Sequence, residues 1–352
     1  MQPALPDALD ADIVACARLI RGGSRSFHAA SLLLPRRVRA PAYALYAFCR
    51  LADDAVDLGG GSAALDALRR RLDDLYAGRP APIAADRAMA AVVREFAIPI
   101  DLPAALLEGF AWDLAGRRYA DLPQLRAYAA RVAGSVGAMM ALLMETRDED
   151  SLARAGDLGM AMQLSNIVRD VGEDAAAGRL YLPLDWLAAA GIDAERFLAR
   201  PVFDARLAGI VSRLVQAADQ HYRRADPAIT RLPFACRPGI AAARWLYAEI
   251  GNEVLRQGGD SVTRRAVVSG RRKVWRLTQA VGVQLALTVL AGRSGSDDVP
   301  THELRFLVEA VRCSPVAAPR KARSFDEEAG WVIDLFHRLE REARLEQQRS
   351  RA

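Results

Sequence analysis

The chain of 352 residues carries a net charge of +5 and is 52% apolar, enough for one large core or two ordinary ones, and it excludes a disordered ground state. Arg dominates the cations, yet there is no dense basic face, zinc-finger spacing or RNA-binding motif, so nucleic acid is set aside as a partner. Cys16, Cys49, Cys236 and Cys313 are scattered without a CxxC pair and the four histidines are equally dispersed, which excludes a zinc site and fits reduced thiols in a cytoplasmic protein.

Ala and Leu abound, aromatics make up only 7%, and alternating Val/Ile/Thr runs are few, so the fold is expected to be all-α. An opening helix over residues 11–20 is broken by Gly22, Gly23 and Ser24. Pro35 and Pro41 bracket a turn, after which 42–58 reads as a helix stopped by Gly59, Gly60, Gly61 and Ser62. Helices follow over 63–77, 85–96, 103–115, 122–143 and 151–174, then over 207–225, 238–257, 271–291 and 303–312. A basic, Pro-containing stretch at 313–323 leads to a terminal helix that starts on a capping box, Ser324 with Glu327, and lines up Trp331, Leu335 and Leu339. The N-terminus carries Asp7, Asp10 and Asp12 and no apolar signal core. The longest uncharged runs, 132–144 and 277–291, are shorter than the ~18–20 residues that span a bilayer. They read as core helices, and peripheral contact with a membrane surface stays open.

Two segments carry chemistry. Tyr43, Tyr46, Arg50, Asp53 and Asp57 recur at steps of three and four and share a helical face, with Asp54 beside them. Gln163, Asn166, Asp170 and Asp174 form a second such stripe, flanked by an i,i+4 pair of Arg169 and Glu173. Two carboxylates at i,i+4 repel by ~0.2–0.5 kcal/mol on an exposed helix. Burying them unpaired costs far more, so a cation should compensate them. If the two helices face each other, they make an oxygen-lined cleft in an apolar bundle. Oxygen donors favour Mg²⁺ or Mn²⁺ over zinc, with substrate phosphate completing the shell. A lone DxxxD is usually a solvated helix turn. Two of them, with Asn166, Arg50 and Arg169 at fixed offsets, tell against that reading.

These segments resemble the two aspartate-rich motifs of the squalene and phytoene synthase family, and the resemblance runs from about Leu19 to Lys273. Ser24, Ser26 and Phe27 resemble an early substrate loop; Tyr128, Val132, Gly134 and Gly137 resemble the mid-chain helix; Gly178, Arg179, Tyr181 and Pro183 resemble the tail of the second motif. Tyr247, Arg265 and Lys273 fit the later pattern, and the chain past about Gly295 matches loosely. The resemblance implies a single-domain isoprenoid-synthase-type helical bundle with a central apolar cavity over residues 1–295, and a helical extension over 296–352 packed on it.

It further implies metal ligands at Asp53, Asp57, Asn166, Asp170 and Asp174, holding two to three Mg²⁺ or Mn²⁺ ions around diphosphate. Arg50, Arg169 and Tyr181 join them as catalytic groups. Ser24, Phe27, Tyr46, Arg50, Tyr128, Gly134, Gly137, Gln163, Arg169, Tyr247 and Arg265 become substrate contacts. The small residues Ala133, Gly134, Ser135, Gly137 and Ala138 suit either close helix packing or a prenyl groove, and the resemblance selects the groove. Tyr46, Tyr128, Tyr181 and Tyr247 are either core aromatics or faces that steady a carbocation. Arg264, Arg271, Arg272 and Arg276 read as a solvated face, and His28 as structural.

The implied partners are prenyl diphosphates, joined head to head. Bacterial members that turn two geranylgeranyl diphosphates into phytoene are the nearest in wording, with no NADPH required. Formation of squalene or dehydrosqualene from farnesyl diphosphate is the alternative. A non-catalytic, membrane-associated scaffold is a distant one, disfavoured because every motif aspartate is present.

Overall fold

The computed structural model describes residues 7–57, 61–273, 275–276 and 301–314. Among them there is no strand. The helices are α1 (Asp7–Gly23), α2 (Arg25–Ser31), α3 (Arg36–Ala55), α4 (Gly61–Tyr76), α5 (Ala84–Glu95), α6 (Asp101–Leu114), α7 (Leu122–Ala129) and α8 (Ser135–Leu143). They continue as α9 (Glu149–Ala176), α10 (Leu184–Ala189), α11 (Ala194–Ala199), α12 (Ala205–Ile229), α13 (Arg237–Arg256) and α14 (Arg305–Arg312). Local chemistry starts many of them. Ser24, Asp121, Asp148, Asp193 and Asp204 each cap a helix by accepting the backbone N–H three residues on, a contact worth ~1 kcal/mol.

Helix α9 is the axis of the bundle. Its 28 residues span about 42 Å at 1.5 Å per residue. It buries Leu152, Gly156, Met160, Ala161, Leu164 and Val168 on several sides, because α8, α12, α13 and α14 all pack against it. Close approach is possible where it lacks side chains. A Cβ on Gly159 would stand 2.2 Å from the Ala133 carbonyl oxygen, and one on Gly172 would stand 2.3 Å from that of Val262. The Gly172 amide donates to the Ser261 carbonyl at 2.9 Å, pinning the loop after α13 to the helix.

The bundle departs from the expected elements at several points. Pro41 does not help bracket a turn; it lies inside α3, which begins directly after Pro35. The ring forfeits one ladder hydrogen bond, at a cost of ~3 kcal/mol for an interior proline, and burial of Val38, Pro41, Ala42 and Leu45 along one side of the helix offsets it. The helix expected over 122–143 is divided by a π-helical turn, Ala130–Gly134. The short helices α2, α10 and α11 are additions. The helix over 277–291, the terminal helix and Gly59–Gly60 lie outside the described residues. All four cysteines are free thiols, and burial pushes Cys49 up to about 12 and Cys16 up to about 11. Among the described residues no helix is long and apolar enough to cross a membrane.

Residues 301–314 pack on the outer side of α9 and the π turn. Leu304 is fully buried in a notch between Gly134 and Gly156, and Thr301 Oγ1 donates to Asp157 Oδ1 at 3.0 Å. A Cβ on Gly156 would meet Leu304 Cδ2 at 2.7 Å. Leu304→Ala should therefore cost ~2–4 kcal/mol in urea unfolding, as an unfilled leucine site does. Gly156→Ala should also destabilise, and the double variant should lose less than the sum of the two, because the new methyl enters the space the leucine left.

Candidate active site

The two carboxylate stripes face each other across one polar chamber of about 900 Å³. Helix α3 brings Arg50 and Asp53, and Asp57 follows just past its end. Helix α9 brings Gln163, Asn166, Arg169, Asp170, Glu173 and Asp174. Ser24, Tyr46, Tyr128, Tyr181, Tyr247, Arg265 and Lys273 also line it. Tyr43, at the start of the first stripe, is buried in the core instead.

Burial makes these charges costly. Desolvation, then the neighbouring Asp57 charge, pushes the Asp53 carboxyl up to about 6. Desolvation, then Asp170, pushes Asp174 up to about 7. Arginines answer the acids. Arg50 grips Asp54 at 2.7 Å and reaches Asp53 at 3.7 Å; Arg179 pairs with Asp57. Arg169 does not take Glu173. Its fork closes on Asp170, with Nε 2.8 Å from Oδ1, while Arg265 spans Asp170 at 3.0 Å and Glu173 at 3.4 Å. The loop tethered at Gly172 supplies Arg265, which is why Glu173 finds a nearer partner than its own helix neighbour.

Among the described residues no three His, Cys, Asp or Glu side chains converge as a ready-made metal cage. The donors are nonetheless hard oxygens, two of them carboxyls whose ionisation burial opposes. That set suits a divalent cation that brings phosphate oxygens with it.

An apolar tunnel of about 210 Å³ opens off the chamber. Val132, Val136, Gln163, Asn166 and Tyr247 line both spaces. Phe27 stands in the tunnel wall, 5.8 Å ring to ring from Tyr46. Along α9 the wall runs from Asn166 through Gly159 and Ala155 to Ser151, fifteen residue steps or about 22 Å of helix. Ala133 and Gly137 belong to it. Gly134 does not: the side that lacks a side chain meets Leu304 and Leu307 of the C-terminal segment, so its smallness serves helix packing rather than a substrate groove. Ser135 and Ala138 are buried away from both spaces. Ser24 caps α2, accepting from the Phe27 N–H at 3.3 Å, and also bonds the Tyr247 side chain. A further cleft of about 1030 Å³, beside Tyr76, Ile98 and Phe306, lies away from these charges.

One group in the chamber went unread in the sequence. Asp113, near the end of α6, accepts hydrogen bonds from Tyr181 Oη at 2.7 Å and Tyr128 Oη at 2.8 Å. Desolvation raises its carboxyl above the usual range, against the lowering effect of those two donors. The Tyr128 and Tyr181 rings stack 5.1 Å apart. The available signal was a single carboxylate in the otherwise apolar run Phe110, Ala111, Trp112 and Leu114. Arg179 sits in the quoted motif tail and had no assigned role; its pairing with Asp57 joins the tail to the first stripe.

Comparison with known proteins gives the same frame. A family model described as Squalene/phytoene synthase matches residues 20–273. A phytoene synthase of Cereibacter sphaeroides is 52% identical over 330 residues, covering 89% of this chain and 91% of the relative. One from Rhodobacter capsulatus is 52% identical over 306 residues, covering 86% and 90%. The crystal structure of a dehydrosqualene synthase in complex with a ligand superposes with a TM-score of 0.74 at 32% identity, covering 79% of this chain and 98% of that one. The paired aspartate stripes, their helical frame and these matches together place the chain in the squalene/phytoene synthase family.

Proposed function

We propose that the chain is a phytoene-forming prenyltransferase that joins two geranylgeranyl diphosphates head to head. The observation that carries this is a chamber of facing aspartates and arginines opening directly into a long apolar tunnel. The 52% identical relatives named phytoene synthase support the same product. Length separates it from the farnesyl alternative. An extended carbon chain advances ~1.25 Å per bond, from bonds of ~1.5 Å, so a geranylgeranyl backbone reaches ~19 Å and a farnesyl one ~14 Å. Along α9 the wall from Asn166 to Arg154 covers about 18 Å, close to the reach of the longer tail and ~4 Å beyond that of the shorter one.

Asp53, Asp57, Asn166, Asp170 and Asp174 are the residues that would hold Mg²⁺ or Mn²⁺. Bound there, the ions would neutralise charge on the departing diphosphate. Arg50, Arg169, Arg179 and Arg265 now rest on carboxylates, and the same forks fit diphosphate oxygens. In the first half-reaction the C1–O bond of one substrate breaks, the second substrate's double bond attacks C1, and a proton leaves to give a cyclopropylcarbinyl diphosphate. In the second, that diphosphate departs, the ring rearranges and opens, and loss of another proton sets the central double bond. The rings of Tyr128 and Tyr181 offer π faces to the cation, and the apolar wall excludes water that would quench it. Because Tyr181 donates its O–H to Asp113, its oxygen is left to accept a proton while its own passes to a carboxylate of raised basicity. No step consumes hydride, so no nicotinamide is required.

Lys273 and exposed Val267 line the chamber, and exposed Trp275 lies close by in the chain with Arg271 and Arg272. That mixture supports peripheral contact with an anionic membrane face, at the cytoplasmic side, as the route by which an apolar product leaves.

Asp53→Asn and Asp170→Asn should each lower turnover by at least ~100-fold, since a neutral amide keeps the size and loses the charge that holds a cation. Circular dichroism should stay helical, and full activity in either variant would remove these residues from the metal assignment. Asp113→Asn should reduce kcat by ~100-fold, the scale of a lost general base, with a smaller change in KM; an unchanged kcat would leave Asp113 a packing residue. Incubation with Mg²⁺ and geranylgeranyl diphosphate should yield phytoene by mass spectrometry, equally with and without NADPH. NADPH-dependent squalene from farnesyl diphosphate, with the longer substrate untouched, would replace this reading.

A further inference from the structure

The far end of the tunnel is closed by a charge. Arg154 lines it beside Ser151, Met144 and Leu232, yet its side chain is only 1% exposed. Two carboxylates hold it: Nε donates to Asp150 Oδ1 at 3.1 Å and one terminal nitrogen to Asp157 Oδ2 at 3.2 Å. Asp157 is fully buried and also bonded by His221 Nδ1 at 2.7 Å, Arg224 Nε at 3.3 Å and Thr301 Oγ1 at 3.0 Å. The guanidinium is thus anchored on α9 itself, on α12 through His221 and Arg224, and on the C-terminal segment through Thr301.

We infer that Arg154 sets the upper limit of prenyl length, acting as a fixed polar floor at the end of an apolar tunnel. This rests on the reading of the tunnel as a prenyl site. The side walls do not impose the limit, since Ala155, Ala225 and Ala243 leave them wide. A floor of flexible apolar side chains such as Met144 alone would yield to one more isoprene unit. A buried ion pair cannot, because moving it aside leaves a charge unpaired in a dry interior. Arg154 stands twelve residues from Asn166, about 18 Å along the helix. A geranylgeranyl backbone of ~19 Å ends against it, and a farnesylgeranyl backbone of ~24 Å overruns it.

The test is competition between substrates, read by mass spectrometry of the products with Mg²⁺ present. Wild-type protein should prefer the C20 diphosphate over the C25 one by at least tenfold, the scale that added hydrocarbon commands in a closed apolar site. Arg154→Leu should raise the C25-to-C20 ratio of kcat/KM at least tenfold. Because that change unpairs Asp157, Arg154→Leu/Asp157→Asn is made beside it and should shift the ratio in the same direction. Ala228→Leu, which fills the floor from α12 and leaves the ion pairs intact, should raise the C15-to-C20 ratio at least tenfold. A folded Arg154→Leu protein, single or paired, whose C25-to-C20 ratio is unmoved would overturn the inference. If neither folds, an unmoved C15-to-C20 ratio in Ala228→Leu overturns it instead. Wild-type protein that consumes no C20 diphosphate would overturn the functional reading beneath it, a failure seen before any substitution is made.

Discussion

The structure depends on compensation of carboxylate charge inside an apolar bundle. Asp53, Asp57, Asp170 and Asp174 are brought to one chamber by two helices whose other faces are packed in the core. Left alone, those acids would repel one another and drive the helices apart. Arg50 reaches Asp53, Arg179 pairs with Asp57, and Arg169 and Arg265 both hold Asp170, while the Arg179 charge also acts on Asp174. Under the proposed function the same arrangement has a chemical use: the cations that compensate these acids also line the chamber that would receive a diphosphate. Stability and the proposed binding would then draw on one set of forks, tying the shape of the chamber to its ligand.

Around this centre the packing divides labour by residue size. Gly159 and Gly172 let backbone approach backbone, so that the π turn and the loop bearing Arg265 sit directly on α9. Gly134 and Gly156 receive Leu304 on the outer side of that wall. The tunnel therefore lies between helices clamped from behind, and a prenyl tail would meet a wall already held in register. Asp157 links the two sides, taking Thr301 from the C-terminal segment and Arg154 from the tunnel floor.

What could be read from the sequence is what is local in it. Both aspartate stripes are i,i+4 patterns within one helix each, and Gln163, Asn166 and Arg169 fall at fixed offsets from them. The contacts that went unread join distant parts of the chain. Arg179 meets Asp57 from 122 positions away, Tyr181 meets Asp113 from 68, and Thr301 meets Asp157 from 144. No local spacing encodes such pairs. Pro41 misled for a different reason: its intrinsic preference for a helix start was overridden by burial of the face it shares with Val38 and Leu45. Helices α10 and α11, six residues each, are too short to show a hydrophobic period.

The π turn at Ala130–Gly134 has a consequence for helical phase. Tyr128, Val132, Val136 and Met140 follow one another at steps of four and line the chamber and then the tunnel. In an unbroken α-helix each such step overshoots a full rotation by ~40°, so the row would wind off its face within a few turns. The wider turn takes up part of that excess and keeps tyrosine, valines and methionine on one continuous wall. Five residues of a π turn rotate about as far as four of an α-helix, so the turn absorbs one extra residue and leaves Val136 and Met140 on the tunnel side. The wall of the chamber and the wall of the tunnel are thus kept in phase across this turn, so one row of side chains passes from the polar space into the apolar one.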